Sequence, residues 1–333
     1  MLAALPLTLG LAACGGGEPE TTAEAQPTEA RAQVLGLSDS DRAAAASATA
    51  QSGSNDCAAI RPFYWEVGNR DARVVSGSVD SPVSSTHYTA ATPLNVASAS
   101  KWVYAAFVAQ RNRGALSETD RRFLSMRSGY VSLSSCPRGT TVDGCLATGS
   151  NGLYTAADEG VFKYDGGHME KHASLIGLGP LGSSSLAAAV KSELGAELKI
   201  LYSQPQLAGG IVTTADSYAA FLRKILAGKL YIGGLLGSGP VCTNPLTCGR
   251  SQAVYAPVPP DESWHYSVGH WVEDDPEVGD GAFSSPGLFG FYPWIDAQRS
   301  TYGIVARSSH DGAFSSVKCG RLIRKAWTTG SVL

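Results

Sequence analysis

Two hydrophobic periods alternate along this chain. Phe63-Tyr64-Trp65-Glu66-Val67 and Arg73-Val74-Val75-Ser76-Gly77-Ser78-Val79 are short aromatic and β-branched runs flanking Gly68-Asn69-Arg70-Asp71, and they predict two strands joined by a turn. From residue 98 to about 112 the period becomes helical, through Trp102-Val103-Tyr104-Ala105-Ala106-Phe107-Val108-Ala109, and Gly114 stops it. Residues 115–231 read as mainly helical with glycine-rich loops. The clearest helices there are 184–194 and 214–227, the second with Thr213-Thr214-Ala215-Asp216 as its N-cap region and Gly228 as its stop. Strand patterns return at 264–273, around Gly269, at the aromatic-rich run 287–295, and at 301–307. The last stretch, 315–328, spaces Val317, Leu322, Ile323, Ala326 and Trp327 as an amphipathic helix. This order predicts an α+β fold: an antiparallel sheet flanked by helices, plus an all-helical lobe at about 115–240, with the functional cleft between them.

Composition narrows the class. The 333 residues carry a net charge of −3, only 17% charged residues and no basic run, so nucleic-acid binding has no electrostatic support. The short apolar stretch 2–13 ends in Leu11-Ala12-Ala13-Cys14, which resembles a bacterial lipoprotein signal, although no Lys or Arg precedes it. This predicts export, a signal peptide at 1–13, lipidation at Cys14 and a membrane anchor in the bacterial cell envelope. Residues 14–56 are rich in small and polar residues and almost free of aromatics, and they read as a disordered tether in which 40–50 could form a short alanine-rich helix. The folded domain is then 57–333. Six of the seven cysteines remain after Cys14, an even number that fits disulfides in an exported chain. Sequence permits fifteen pairings, and spacing favours Cys136–Cys145 and Cys242–Cys248 as local staples, leaving Cys57–Cys319 to tie the domain ends. No Cys-x-x-Cys pair suggests a metal, and no cofactor is implied.

The chemistry is concentrated in Ser98-Ala99-Ser100-Lys101. Residues three apart on a helix share a face, so the Ser98 hydroxyl and the Lys101 amine can meet there. A hydroxyl needs a base to become a nucleophile, and a lysine whose pKa is lowered by desolvation can serve. A second such string, Ser315-Ser316-Val317-Lys318, lies in the terminal helix, where Lys318 reads as part of the solvated face.

In this setting the chain resembles the class C β-lactamase and penicillin-binding-protein-like serine hydrolases, over roughly residues 57–327. Ser98-Ala99-Ser100-Lys101 follows the first strand pair, and Ala208-Gly209-Gly210-Ile211-Val212-Thr213-Thr214-Ala215-Asp216 resembles that family's loop and helix entry. The resemblance makes Ser98 the nucleophile and Lys101 its base, and removes Ser315/Lys318 by chain order. It makes Tyr164-Asp165-Gly166 the counterpart of the family's Tyr-x-Asn, so Tyr164 relays protons with its phenol pKa lowered by Lys101; Tyr154 is the second choice, and His168 reads as structural. Gly166 stands where the family has asparagine. Ser285-Pro286-Gly287 matches the family's Lys-Thr-Gly strand, which implies that the Ser98 and Leu288 N–H groups form the oxyanion hole. Ser285 replaces the cation that usually holds a substrate carboxylate, and Arg307 reads as an exposed surface arginine. Walls formed by Trp102, Phe289, Tyr292 and Trp294 would suit an apolar ester or amide. The expected function is a serine hydrolase acting through an acyl-enzyme on a small ester or amide. The alternatives are a β-lactamase or D-Ala-type peptidase, and a non-catalytic cell-wall-binding lipoprotein. An α/β-hydrolase is excluded by the absence of a Gly-x-Ser-x-Gly elbow.

Overall fold

The computed structural model describes residues 36–333; the signal segment, Cys14 and the tether before residue 36 lie outside the described residues. The first element is α1 (Asp39–Gln51), where Ser38 and Asp41 satisfy each other's backbone N–H groups in a capping box. The hairpin β1 (Phe63–Asn69) and β2 (Arg73–Val79) follows, then a short β3 (Leu94–Asn95), a 3₁₀ turn at Ala97–Ala99 and α2 (Ser100–Arg111). The second lobe contains α3 (Glu118–Leu124), α4 (Val142–Leu146), β4 (Phe162–Lys163), α5 (Gly167–Ala173), α6 (Ser183–Leu194), β5 (Leu201–Tyr202), β6 (Ile211–Thr213) and α7 (Ala215–Leu226). The chain ends with β7 (Val241–Cys242), β8 (Ala253–Tyr255), β9 (His265–Tyr266), β10 (Trp271–Glu273), β11 (Ala282–Ser284), β12 (Tyr292–Ile295), β13 (Thr301–Ala306) and α8 (Phe314–Thr329).

Eight strands form one antiparallel sheet in the order β2-β1-β13-β12-β11-β10-β9-β7. Its first and last thirds of sequence meet at β1–β13, where Tyr64 to Asn69 pair with Ala306 to Thr301. α8 and α1 pack together, α8 against β12 and β13 and α1 against β2, while α7 also packs on β13. A buried core of Phe63, Trp65, Trp294, Tyr302, Val317 and Ile323 fills the layers. Burying each such side chain stabilises the fold by about 1.5–3 kcal/mol. The Cys57–Cys319, Cys136–Cys145 and Cys242–Cys248 pairs are all present.

Three sequence expectations change. The folded body begins near Leu37, not at Cys57. Ala46, Thr49 and Ala50 of α1 are fully buried, Arg42 donates to the Trp327 and Thr328 carbonyls, and Thr49 Oγ1 accepts the Leu333 N–H. Small side chains let two helices approach closely, so this alanine-rich stretch needs no aromatics to join the core. The lobe between α2 and β7 is built mainly of helices, but its β6 and β5 form a small sheet with β3, which precedes α2, and β4 pairs in parallel with β8. Finally, the run 287–295 is not one strand: Gly287 N–H donates to Phe291 O and Gly290 N–H to Gly287 O, so residues 285–291 are the tight turn between β11 and β12. Among the described residues no helix is long and apolar enough to cross a membrane.

Candidate active site

The site is organised by how the start of α2 is held. β3 pairs with β6, and Val96 N–H continues that ladder to Ile211 O. Ala97 then takes φ 43°, left-handed backbone that is strained for a non-glycine residue, with its N–H fixed by Asn95 Oδ1 at 2.8 Å. The turn it creates presents Ser98 at the mouth of α2, where backbone N–H groups lack helical acceptors. From the sheet side, two glycines clamp this segment. Gly269, at φ +69° in the β9–β10 turn, lies so close to α2 that a Cβ there would strike Ala105 and the Lys101 carbonyl. A Cβ on Gly287 would strike the Val96 carbonyl.

Lys101 lies one turn beyond Ser98, at the start of α2, and is only 4% exposed. Its Nζ donates to Ser98 Oγ at 3.0 Å and to Ala208 O at 2.9 Å. Burial lowers its pKa from 10.5 to about 7, outweighing the attraction of Asp165. Tyr164 stands over the same pair, with Lys101 Nζ 4.7 Å from its ring centroid. The phenol is pushed up to about 12 by burial, although hydrogen bonds from Ser98 and Trp271 pull the other way. This reverses the expected lowering, because burial outweighs those hydrogen bonds. Tyr164 is held by its N–H to Tyr255 O and by stacking on Trp271 at 5.3 Å. Next to it, Asp165 accepts the Gly167 N–H at 2.7 Å and starts α5. The structure therefore brings Ser98, Lys101 and Tyr164 together.

Two cavities meet at Ser98. One, of about 430 Å³, runs past Tyr164, Trp264, Trp271, Pro286 and Phe314. The other, of about 520 Å³, is uncharged apart from Lys101, with Asn95, Ser134, Ser203, Gln204 and Gln206 as its polar lining. Gly166 and Leu288 border both. A larger cavity of about 640 Å³ behind α8 holds paired charges such as Arg321, Arg324, Asp280 and Glu262, and includes none of Ser98, Lys101 or Tyr164.

The remaining sequence candidates fall as follows. Leu288 sits at the tip of the 285–291 turn, 59% exposed, and among the described residues its N–H has no partner. Ser285 is buried, and its hydroxyl donates to Ser98 O at 3.0 Å. Gly166 is fenced by Leu133 and Ala208. Tyr154 is 47% exposed and bonds to Glu159, away from this group. Lys318 is exposed on α8. His168 is buried, bonded to Ser128 and the Lys163 carbonyl, with its pKa lowered to about 4.

Two expectations are corrected. Trp102, Tyr292 and Trp294 are core residues rather than cleft walls; of that set only Phe289 reaches a cavity. Arg307 is buried, bonding Ser316 at 2.9 Å and Asp311 at 2.6 Å, rather than exposed. The walls that sequence reading missed, Trp264 and Trp271, lie in a strand pattern that it did recognise. Periodicity says which residues share a face, and not which face meets a cleft.

No protein-family model and no curated protein matches the chain. Solved structures do. EstCE1, a hydrolase with promiscuous acyltransferase activity, superposes with TM-score 0.60 at 12% identity over 87% of this chain and 99% of its own. The D-amino acid amidase from Ochrobactrum anthropi gives 0.57 at 10% identity, over 81% and 97%. A β-lactamase from Mycobacterium bovis gives 0.53 at 12%, over 82% and 96%. The fold is that of the serine β-lactamases and penicillin-binding-protein homologues. At these identities the likeness establishes the architecture alone.

Proposed function

We propose that this chain is a serine hydrolase that forms an acyl-enzyme on a neutral ester or amide. The observation that carries the reading is a buried lysine with a pKa of about 7, 3.0 Å from a serine hydroxyl that opens into two cavities. Near neutral pH about half of Lys101 is free amine and can take the Ser98 proton as Oγ attacks the substrate carbonyl. The tetrahedral oxyanion is received by the Ser98 and Leu288 N–H groups, donors of a kind worth roughly 2.7–4 kcal/mol each. Collapse expels the alcohol or amine, which takes its proton from Tyr164 as Lys101 returns one to the phenol. Water, deprotonated by Lys101, then attacks the acyl-enzyme and releases the acid and Ser98.

Neutral substrates are favoured because the cleft offers a carboxylate little. Ser285 spends its hydroxyl on Ser98 O, and Arg307 is engaged by Asp311 and Ser316. An asparagine at Gly166 would collide with Leu133. These features argue against a dedicated β-lactamase or D-Ala peptidase. The fold neighbours include a hydrolase and an amidase, consistent with an acyl-transfer enzyme.

The test is labelling with a fluorophosphonate and, separately, a fluorescent penicillin, with adducts located by mass spectrometry. Ser98 labelled by the fluorophosphonate alone is the expected result. No adduct at Ser98 from either probe, in folded protein, removes the enzyme reading. We further propose export and lipid anchoring at Cys14, supported by the Leu11-Ala12-Ala13-Cys14 string and the three disulfides. Radiolabelled palmitate should enter the wild type and not Cys14→Ala; equal incorporation would refute it.

A further inference from the structure

Glu170, on α5, is a buried acid that the proposed reaction leaves unused. Its Oε2 accepts the Leu207 N–H at 3.0 Å. The next residue, Ala208, supplies the carbonyl that takes the Lys101 ammonium at 2.9 Å. One hydrogen bond and one peptide unit therefore separate the Glu170 carboxyl from the anchor of the Lys101 amine. The other oxygen, Oε1, is buried and has no partner among the described residues. Among the described residues no cation shifts the pKa of Glu170. The Cys136 and Cys145 sulfurs come within 4.8 Å of the carboxyl, and the Tyr202 hydroxyl of β5 and the Tyr104 hydroxyl of α2 both feel its charge. The Tyr202 hydroxyl has no partner among the described residues, and Tyr104 bonds His172, which is paired with Asp120. Burial pushes Glu170 up to about 8, against the pull of the Leu207 N–H, so near neutrality it is chiefly a neutral acid.

A neutral acid in an apolar pocket has one clear task here, as acceptor for a loop N–H that would otherwise be orphaned. The other hydrogen bonds of the 206–210 loop lie at its ends: Gln206 N–H donates to Gln204 O, Gln206 O accepts the Gly209 and Gly210 N–H groups, Gln206 Nε2 donates to Ser134 O, and Gly210 O accepts from the Ser203 N–H and hydroxyl, so Leu207 in the middle depends on Glu170. Without the Glu170 acceptor, the buried Leu207 N–H would seek another partner and carry the Ala208 carbonyl with it.

We propose that Glu170 is a positioning residue for Lys101, acting through the Leu207 N–H to fix the Ala208 carbonyl that orients the amine toward Ser98. The inference rests on the reading of Lys101 as the base. Glutamine at this position keeps an acceptor of the same shape and removes the ionisation. Methionine keeps the volume and removes the acceptor.

The experiment follows Lys101 directly, through the 13Cε resonance of isotope-labelled lysine titrated by NMR, in the wild type, Glu170→Gln and Glu170→Met. In parallel it measures the rate of Ser98 phosphonylation by a fluorophosphonate. Lys101 should titrate near 7 in the wild type and in Glu170→Gln. In Glu170→Met its pKa should move by more than half a unit, and phosphonylation should slow at least tenfold while the glutamine variant labels at the wild-type rate. An unchanged Lys101 titration and rate in folded Glu170→Met overturns the proposal, as does a glutamine variant as impaired as the methionine one. Should Glu170→Met not fold, Glu170→Asp, whose shorter arm withdraws the acceptor, is judged by the same criteria. A shifted Lys101 titration with no labelling of any protein supports the linkage and overturns the hydrolase reading instead.

Discussion

Replacing Lys101 by methionine should destroy activity and yet stabilise the protein below neutral pH. The wild-type side chain is 4% exposed, and its pKa falls from 10.5 to about 7 because burial disfavours the ammonium. At about 1.4 kcal/mol per pH unit, the charged form is about 5 kcal/mol costlier in the folded than in the unfolded state. Methionine conserves volume but leaves Ala208 O and Ser98 Oγ without their donor, a loss of about 1–3 kcal/mol. The net expectation at pH 6 is a gain of about 2–4 kcal/mol for Lys101→Met. Between pH 7 and 10.5 the unfolded chain still binds the lysine proton and the folded chain has released it, so the Lys101 contribution to wild-type stability rises with pH. The advantage of the variant therefore shrinks by up to about 1.4 kcal/mol per unit, with the two curves crossing at about pH 9. Urea unfolding followed by tryptophan fluorescence from pH 6 to 10.5, with six tryptophans as reporters, measures both curves. A variant less stable than wild type at pH 6, or a difference that does not change with pH, refutes the reasoning. The ammonium would then be welcome where it sits, and Lys101 would be a poor base.

If Lys101 is the base, kcat/KM on a chromogenic ester should rise with pH through an apparent pKa near 7. It should then hold to about pH 10, since Tyr164 loses its proton only at about 12; a rate that falls above pH 7 contradicts this assignment. Gly269→Ala should cost more than about 2 kcal/mol and lower kcat, because the new methyl meets the backbone of α2, including Lys101 O at 2.8 Å; a neutral effect in urea unfolding would show that the clamp on α2 is slack. Replacing both Cys57 and Cys319 by serine should lower Tm more than the same change at Cys242 and Cys248, since the closed loops span 262 and 6 residues and chain entropy scales to roughly 5.6 against 2.2 kcal/mol. Calorimetry finding the reverse order would refute it.

How far the sequence carried depended on whether local or tertiary physics decided each point. Elements with strong local signals were legible: β1 and β2 from their turn, α7 from its Thr214 cap, α8 from its stripe. Ser98 and Lys101 were legible because helical spacing alone brings them together. What failed depended on neighbours distant in sequence. α1 joined the core because α8 offers a surface that small side chains can approach, which no window around residues 39–51 reveals. The 285–291 turn was hidden by the aromatic Phe289 and Phe291, residues that favour strands but tolerate a turn when Gly287 and Gly290 make its bonds. Arg307 is buried because Asp311 and Ser316 fold back over it. Glu170 carried one weak signal, an acid placed three residues from Gly167 and three from Ala173 on what becomes a buried stripe.

Lys101 and Glu170 together shape the stability of the molecule around neutral pH. Both are displaced by burial, in opposite directions: the lysine down to about 7 and the glutamate up to about 8 from 4.5. Above pH 4.5 an unfolded Glu170 releases its proton while the folded one keeps it, so this group removes stability as pH rises, up to about 8. Lys101 returns stability only above about 7. Their contributions have a common minimum near pH 7–8, the range in which the amine becomes a usable base. Folding is therefore weakest, as far as these two groups decide it, where Ser98 is best activated. Glu170→Gln should raise stability on the alkaline side of pH 5 and leave the rise above pH 7 in place, whereas Lys101→Met should remove that rise and keep the fall. Urea midpoints for the three proteins from pH 5 to 10 decide it: parallel curves would mean that neither group is displaced by burial, and the coupling between poor solvation and base strength at this site would fall with them.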